Sequence, residues 1–477
     1  MTRESGVLFH ISSLPNGYGC GSFGQEARDF VDFLKRSGFG YWQVLPFCPP
    51  DSCGSPYKSV SAFAGNPYFI DLKELVGEGL LTEEELATAV ETSPYLCDFE
   101  ALTSRYLLLM KASRRVSNVS EISDFMRDNP ALDDFCHFMA RKEANDGCPW
   151  WEFDDSLKEN EEILWMHQFI QYIFFKQWKS LKEYANANGI KLIGDMPIYV
   201  DIDSADVYAN KENFLLDDRY RPTLVAGVPP DYFSPEGQLW GNPLYDWEYM
   251  KKDGYSWWKK RMAHTMMMFD GVRIDHFRAF SAYYAVDADA DNAKNGTWHK
   301  GPGMELIRVL QEAANGGMII AEDLGDIDDD VKALVKESGF PGMRVFQFGF
   351  DGDDCYHRPH SYIQNCVAYS GTHDNNTLLG YLWELETKKK ELMLEYIGVS
   401  RDRWQEAVLP IVKCLMRSSA NLVIFPLQDL LGYGKDTRMN TPGLDKNNWA
   451  IRFTKEQIES IDSEKYAALN RMYERKV

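Results

Sequence analysis

The stretch "GVRIDHF", residues 271–277, places three titratable side chains, Arg273, Asp275 and His276, in what otherwise reads as a short buried strand. Burying an unpaired charge costs several kcal/mol. These side chains therefore either neutralise one another in a structural cluster or stand at the end of a strand and face a ligand. The pattern of the remaining chain has to decide between the two.

Seven other apolar segments share the character of 271–277. They are rich in β-branched or aromatic residues and are followed by polar loops: 6–15, 41–50, 190–200, 318–325, 343–350, 366–375 and 422–432. Their continuously apolar interiors are typical of parallel strands buried on both faces. Amphipathic helical patterns lie between most of them, at 24–38, 169–189, 303–317 and 326–339. Eight strands alternating with helices predict an α/β fold, a (β/α)8 TIM barrel.

Two intervals are too long for simple crossovers, so we expect insertions in a single catalytic domain that spans 1–477. Residues 73–168 predict a helical subdomain, in which Thr82 caps a helix and Glu85 completes a capping box. Residues 201–250 are rich in Pro, Gly and aromatic residues, which predicts an ordered loop over a site. The last segment, 455–477, predicts a closing helix and no C-terminal β domain.

The composition limits the partners. With 51 basic and 72 acidic residues the net charge is −21, which disfavours nucleic acids and anionic membranes. We see neither a secretory signal nor an apolar run of about 18 residues, so we expect no membrane segment. The nine scattered cysteines contain no CxxC pair, which indicates reduced thiols and no zinc site. These features predict a cytoplasmic enzyme.

Carboxylates close or follow four of the predicted strands: Asp195, Asp275, Glu322 and Asp374. In a TIM barrel the C-terminal strand ends share the rim where catalysis occurs. Arg273, His276 and His373 beside them are suited to tune pKa values. A single Asp after a strand is more often a helix cap or turn former; the combination is far more specific.

Retaining glycosyl transfer needs such a pair of carboxylates. One attacks the anomeric carbon, and a protonated one about 5–5.5 Å away donates to the leaving oxygen. The chain has 13 Trp, 25 Tyr and 27 Phe, and some lie in predicted loops, where they suit sugar platforms: Tyr57, Tyr68, Phe233 and Trp240. Core packing is the alternative role for each of these rings.

Seven segments carry a resemblance to a known family: "SPYKSVSAFAGNPYFIDL" (55–72), "GDMPIYV" (194–200), "GVPPDYFSPEGQLWGNPLY" (227–245), "GVRIDHFRAF" (271–280), "AEDLG" (321–325), "GTHDNNT" (371–377) and "RMNTPG" (438–443). Together they closely resemble the 4-alpha-glucanotransferases of the amylomaltase or disproportionating type, glycoside hydrolase family 77. The match runs in order to about residue 453.

The resemblance implies a retaining double displacement on α-1,4-glucans. Asp275 would be the nucleophile, Glu322 the general acid and base, and Asp374 the third carboxylate, which binds sugar hydroxyls. Arg273 would keep Asp275 ionised. The other substrate-binding residues it implies are Tyr57, Asp195, Asp231, Phe233, Gln238, Trp240, Asp351, His373, Asn440 and Pro442. Asp231, Phe233, Gln238 and Trp240 would form a lid on the acceptor side.

The implied substrates are maltooligosaccharides and α-1,4-glucans, with glucose or maltodextrin as acceptor. The resemblance implies no metal and no organic cofactor. An α-1,4-glucan hydrolase would use the same carboxylates, differing only in whether water or a sugar reaches the glucosyl-enzyme. A metal-dependent sugar isomerase is a further alternative, which a chelator would inactivate, and so is a non-catalytic glucan-binding protein, which would release no glucose from maltotriose.

Overall fold

The predicted parallel strands form a closed barrel in this computed structural model, which describes residues 3–50, 54–230, 234–350, 356–444 and 448–475. The strands within these residues are β1 (Glu4–Leu8), β2 (Tyr41–Gln43), β3 (Lys191–Met196), β4 (Leu224–Val228), β5 (Gln238–Pro243), β6 (Gly271–Ile274), β7 (Ala282–Asp287), β8 (Thr297–Lys300), β9 (Met318–Ala321), β10 (Gly342–Val345), β11 (Cys366–Tyr369) and β12 (Leu422–Pro426).

The barrel order is β1, β2, β3, β6, β9, β10, β11 and β12, and β12 pairs with β1 to close it. All of these neighbours run parallel. Each of the eight predicted segments supplies one strand, which confirms the predicted TIM barrel.

The barrel strands are buried on both faces, as their continuously apolar sequences indicate. Alternate residues, among them Ile193, Ile320, Val345 and Ile424, form one apolar cluster. The residues between them, such as Val272, belong to the larger cluster that also contains the helix side chains. Fully burying a Val, Leu or Ile side chain contributes about 1.5–3 kcal/mol, so this two-sided packing is a large part of what holds the strand ends in place.

The helices of the described residues are α1 (Gln25–Arg36), α2 (Leu72–Gly77), α3 (Glu83–Leu86), α4 (Phe99–Leu102), α5 (Arg105–Ser113), α6 (Val119–Asp128), α7 (Pro130–Ala144), α8 (Glu161–Ala187), α9 (Ala205–Ala209), α10 (Trp247–Lys252), α11 (Ser256–Met268), α12 (Met304–Ala314), α13 (Asp329–Ser338), α14 (Leu378–Glu384), α15 (Thr387–Ile397), α16 (Val408–Arg417), α17 (Leu427–Leu431), α18 (Lys455–Glu459) and α19 (Ser463–Met472).

Helices α2 to α8 fill the interval between β2 and β3. The predicted capping box starts α3: the Glu85 N–H donates to Thr82 Oγ1 at 3.2 Å, and the Thr82 N–H donates to Glu85 Oε2 at 3.0 Å. Helix α8 has 27 residues, about 40 Å of helix at 1.5 Å per residue. Asn160 caps its start, since the Asn160 side chain accepts from the Glu162 N–H.

Two sequence predictions need correction. The 201–250 interval is not only a loop, because it contains α9, β4, β5 and α10. Strands β4 and β5 join β7 and β8 in a four-stranded antiparallel sheet of order β5-β4-β7-β8, which the sequence did not predict. The closing helix is also two helices: α18 ends at Glu459, and Asp462 caps the start of α19 by accepting from the Lys465 N–H.

The seam between β1 and β12 is covered by the C-terminal segment. Arg475 is 2% exposed and donates to the backbone oxygens of Glu4 at 2.9 Å, Met416 at 2.8 Å and Ala420 at 3.0 Å. Glu4 lies on β1, whereas Met416 and Ala420 lie shortly before β12. The Arg475 side chain therefore joins the two strands that meet at the seam.

Candidate active site

An open cleft of about 720 Å3 lies at the C-terminal end of the barrel, and eight of the predicted site residues line it. The cleft lining includes these predicted residues: Tyr57, Gln238, Trp240, Asp275, His373, Asp374, Asn440 and Pro442. Three predicted residues, Asp231, Phe233 and Asp351, lie outside the part of the chain that the structure describes. Tyr68 is a core residue, 8% exposed, with its ring 6.3 Å from that of Tyr106.

Arg273 is the centre of the charge cluster. In the barrel register Asp195 on β3 lies opposite Arg273 on β6, and Nη1 donates to both Asp195 oxygens, at 2.9 and 2.8 Å. Nη2 lies 2.8 Å from Asp275 Oδ1 and 4.0 Å from Glu322 Oε2. Burial alone would lower the pKa of the guanidinium, but Asp195 and Asp275 raise it well above its ordinary value. Arg273 therefore stays charged.

Glu322 sits directly after β9 and is 8% exposed. Its oxygens accept from the backbone N–H groups of His276 at 2.7 Å and Leu324 at 2.8 Å. Burial, the largest cause, and the charge of Asp275 raise the pKa of Glu322 to about 7, although Arg273 and the backbone donors oppose the shift. Near neutral pH a large fraction of Glu322 therefore carries a proton.

Asp275 follows β6 and is more accessible, with 28% of its side chain exposed. The next residue, His276, has φ 48°, in the left-handed region that is uncommon outside glycine. Its N–H is the one that bonds Glu322, so this turn connects the two carboxylates. Burial lowers the pKa of His276 to about 4, which keeps its imidazole neutral.

Asp374 lies in the loop after β11. Its Oδ2 is 3.2 Å from His373 Nε2, and its Oδ1 accepts from the Asn440 amide at 2.6 Å. Burial by itself disfavours the charged carboxylate, but His373, Asn440 and Arg273 outweigh it and hold the pKa of Asp374 below its ordinary value. Burial likewise opposes the charged His373, yet the neighbouring Asp374 raises the pKa of that imidazole.

Tyr57 connects the two sides of the site. Its hydroxyl donates to Asp195 Oδ2 at 3.0 Å, and its ring stacks on His373 with the centroids 5.2 Å apart and the planes at 19°. Trp449 closes the aromatic group, 5.5 Å from Tyr57 and 5.8 Å from His373. The stack leaves His373 little freedom to turn away from Asp374.

Gln238 and Trp240 lie on β5, in the predicted lid segment, residues 227–247. The Trp240 Nε1–H donates to Gln238 Oε1 at 3.2 Å. The Trp240 ring meets the imidazole of His276 edge to face, with centroids 4.8 Å apart. The lid segment therefore contacts the residue next to Asp275. Its strands β4 and β5 are held in place by pairing within the four-stranded antiparallel sheet.

Sequence reasoning missed Asp429, which supports the site from beneath. This residue is 1% exposed, and its oxygens accept from Ser370 Oγ at 2.6 Å and from the Leu378 N–H at 2.7 Å. Ser370 and Leu378 bracket the loop that holds His373 and Asp374. A single Asp inside the apolar run 422–432 was the available signal. Burial raises the pKa of Asp429 to about 6.

Asp323, adjacent to Glu322, is a second residue that was missed. It is 4% exposed and accepts from the Met343 N–H at 2.6 Å, while Arg344 Nη1 lies 3.4 Å from its Oδ2. A Cβ on Gly342 would come within 2.4 Å of that oxygen, so only glycine leaves room for it. These contacts fix the end of β9, and with it Glu322, against β10.

The described ranges contain no group of three or more His, Cys, Asp or Glu side chains that could hold a metal ion. Over the same ranges, none of the helices is long and apolar enough to cross a membrane.

The chain is similar to known proteins over nearly its whole length. The family model described as 4-alpha-glucanotransferase matches residues 9–457. A 4-alpha-glucanotransferase of Streptococcus pneumoniae is 43% identical over 494 residues, covering 99% of this chain and 97% of the relative. One of Thermus thermophilus is 41% identical, covering 95% of each. The structure of an amylomaltase from Streptococcus agalactiae in complex with acarbose matches with a TM-score of 0.95, at 36% identity and full coverage of both chains.

Proposed function

Because the chain belongs to the 4-alpha-glucanotransferase family, glycoside hydrolase family 77, we propose that Asp275 and Glu322 divide a two-step glycosyl transfer between them. The enzyme transfers α-1,4-glucan segments by a retaining double displacement. One observation carries the assignment of roles: Asp275 is ion-paired and open to the cleft, whereas the neighbouring Glu322 is buried with a raised pKa.

In the first step an Asp275 oxygen attacks the anomeric carbon of the donor. The bond from that carbon to the glycosidic oxygen breaks, and protonated Glu322 gives its proton to this oxygen. A glucosyl ester on Asp275 remains, and the released fragment leaves with a new 4-hydroxyl. Arg273 Nη2 lies 2.8 Å from the attacking carboxylate and holds it in place at the cleft.

In the second step the roles reverse. The Glu322 carboxylate takes the proton of an acceptor hydroxyl, the acceptor oxygen attacks the anomeric carbon, and Asp275 leaves as a carboxylate. Two inversions restore the α configuration. The protonation state of Glu322 must change once per half-reaction, and a pKa of about 7 suits a group that works as both acid and base.

Asp374 serves as the third carboxylate. It is charged, it lines the cleft, and its second oxygen is oriented by Asn440. A fixed negative charge beside the reacting sugar ring favours the positive, oxocarbenium-like transition state and accepts hydrogen bonds from sugar hydroxyls. His373 donates to the sugar in the donor site, on the side of the cleft where Tyr57 stacks on it.

The acceptor side is formed by the lid segment. Trp240 and Gln238 line the cleft, where Trp240 stacks on the acceptor sugar and Gln238 hydrogen-bonds it. Asp231 and Phe233 belong to the same segment of the sequence but lie outside the described residues, and their role in acceptor binding rests on the family resemblance. Residues 73–168 and 201–250 are insertions in one catalytic unit. The donors are maltooligosaccharides and α-1,4-glucans, and the acceptors are glucose or maltodextrin.

The cysteines and the net charge indicate the subcellular location of the enzyme. All seven cysteines in the described part of the chain are free thiols, which suits a reducing compartment, and the chain charge of −21 opposes binding to nucleic acid. We therefore place the enzyme in the cytoplasm.

Incubation with maltotriose alone, with the products resolved by chain length, tests the function. Transfer yields glucose and a ladder of longer oligomers. Hydrolysis yields only maltose and glucose, and a binding protein yields nothing. A parallel reaction with EDTA addresses the isomerase alternative, since we expect the ladder to be unchanged; activity that is lost with EDTA and restored by a divalent ion would contradict the proposal.

A further inference from the structure

Trp383 is an unusually exposed aromatic residue. It is 71% exposed, and no other aromatic residue in the described ranges is more exposed. Its ring lies beside that of Trp404, with centroids 5.6 Å apart and planes inclined at 57°. Trp404 is half-buried against the core, so the exposed apolar surface is chiefly that of Trp383, and such a surface is costly to keep in water. Aromatic rings that lie side by side mark binding surfaces more often than single ones do.

Polar groups surround the two rings. Lys390 Nζ lies 5.0 Å from the centroid of Trp404 and donates to the backbone oxygen of Trp383 at 3.4 Å. Glu384, the next residue on α14, pairs with Lys435; their side chains are 46% and 65% exposed. An apolar face flanked by hydrogen-bonding groups matches a glucose unit, which has apolar C–H faces and an edge of hydroxyls.

The pair is close to the active site but outside the cleft. Helix α14 begins shortly after the loop that holds Asp374, and Trp383 is five residues further along it than Leu378, which is about 8 Å of helix at 1.5 Å per residue. Glu384 Oε2 accepts from the side chain of Asn376 in that loop at 2.9 Å. Neither tryptophan lines the cleft that contains Asp275.

We propose that Trp383 and Trp404 form a second glucan platform, which holds a part of a long α-1,4-glucan chain that is not reacting. The inclination of the rings supports this occupant, because an α-1,4-linked chain curves and presents successive sugars at different angles. The platform would raise the local concentration of long chains at the rim of the cleft. This proposal rests on the glucan substrate assigned above.

The test compares a long and a short substrate. We expect Trp383→Ala to raise KM for amylose about 3- to 10-fold, the loss of one aromatic contact, and to increase mobility in a native gel that contains amylose. KM and kcat for maltotriose, which fits within the cleft, stay at the wild-type values. Trp383→Phe, which keeps an aromatic face, retains part of the amylose effect. Tyr249→Ala on α10, which removes an aromatic side chain that is 39% exposed, is the matched control. It leaves KM for both amylose and maltotriose at the wild-type values.

Two results would overturn the proposal. If Trp383→Ala and Trp404→Ala both keep wild-type amylose KM and gel retardation, the platform does not exist. If KM rises equally for maltotriose and amylose, the tryptophans act on the cleft and not on a separate site. Failure of the function itself is distinguishable, because then the wild-type protein makes no ladder from maltotriose.

Discussion

Nη2 of Arg273 lies 2.8 Å from Oδ1 of Asp275. Arg273 lies on β6 and Asp275 is the first residue after it, so this ion pair joins the strand to the turn that follows it. Arg273 is 4% exposed, whereas 28% of the Asp275 side chain is exposed. The charged groups of 271–277 therefore do both things that their sequence allowed: they neutralise one another, and one of them faces a cleft.

We expect Asp275→Asn and Glu322→Gln each to reduce transfer from maltotriose by on the order of 10²- to 10⁴-fold or more, since each removes one half of a two-step covalent mechanism. Far-ultraviolet circular dichroism should show an intact fold, and Glu322→Gln should still bind oligosaccharide. Glu312→Gln, whose side chain is 73% exposed on α12, is the control. A variant of either catalytic residue with more than about a tenth of the wild-type rate would exclude its assigned role.

The pH dependence follows from Glu322. The first step needs its proton, so we expect the rate to fall as pH rises through about 7, the raised pKa of this buried carboxyl. The negative charge of Asp275 contributes to the raised pKa of Glu322. In Asp275→Asn the pKa of Glu322 should therefore move down, which the carbon-13 carboxyl shift can follow during a titration. An unchanged or higher pKa in the variant would contradict the proposed coupling.

Asp429 is expected to act on catalysis through the loop that it supports. Asp429→Asn keeps the size of the side chain but can accept only one of the two hydrogen bonds, from Ser370 and Leu378. Leaving a buried donor without a partner costs about 1–3 kcal/mol. We expect kcat to fall about tenfold or more at a temperature well below Tm, because His373 and Asp374 lose their fixed position. If only Tm falls and kcat is unchanged, Asp429 stabilises the fold alone.

The lid segment should determine whether a sugar or a water molecule accepts the glucosyl group from Asp275. Water is present at roughly 55 M and the acceptor at millimolar levels, so transfer wins only if the acceptor is bound and oriented. We expect Trp240→Ala to lower the ratio of transfer to hydrolysis products from maltotriose, with Tm nearly unchanged. Glu236→Gln, an exposed change in the same segment (58% side-chain exposure), should leave the ratio alone. A wild-type ratio in Trp240→Ala would make the segment purely structural.

The barrel and its carboxylates could be predicted because both depend on local sequence. Continuous apolar runs indicate buried parallel strands, and the ends of such strands share one rim, which brings Asp275 and Glu322 together without further information. The small antiparallel sheet was missed since Pro and Gly interrupt β4 and β5, although "AYYAVD" in β7 was a usable signal.

Support from a distance could not be read from the sequence. Ser370 and Asp429 are 59 positions apart, and Tyr57 and Asp195 are 138 apart. No local pattern links such pairs. The family resemblance, not periodicity, pointed to Asn440, which the fold then places at 2.6 Å from Asp374.

The pairing of β1 with β12 has a consequence for biosynthesis. Glu4 lies beside Leu422 in the register, so β1 waits for a partner that the ribosome makes much later. At about 5–20 residues per second, that wait lasts roughly 20 to 80 s. During it the nascent chain exposes one unpaired edge of β1, a surface on which strands of other chains can pair.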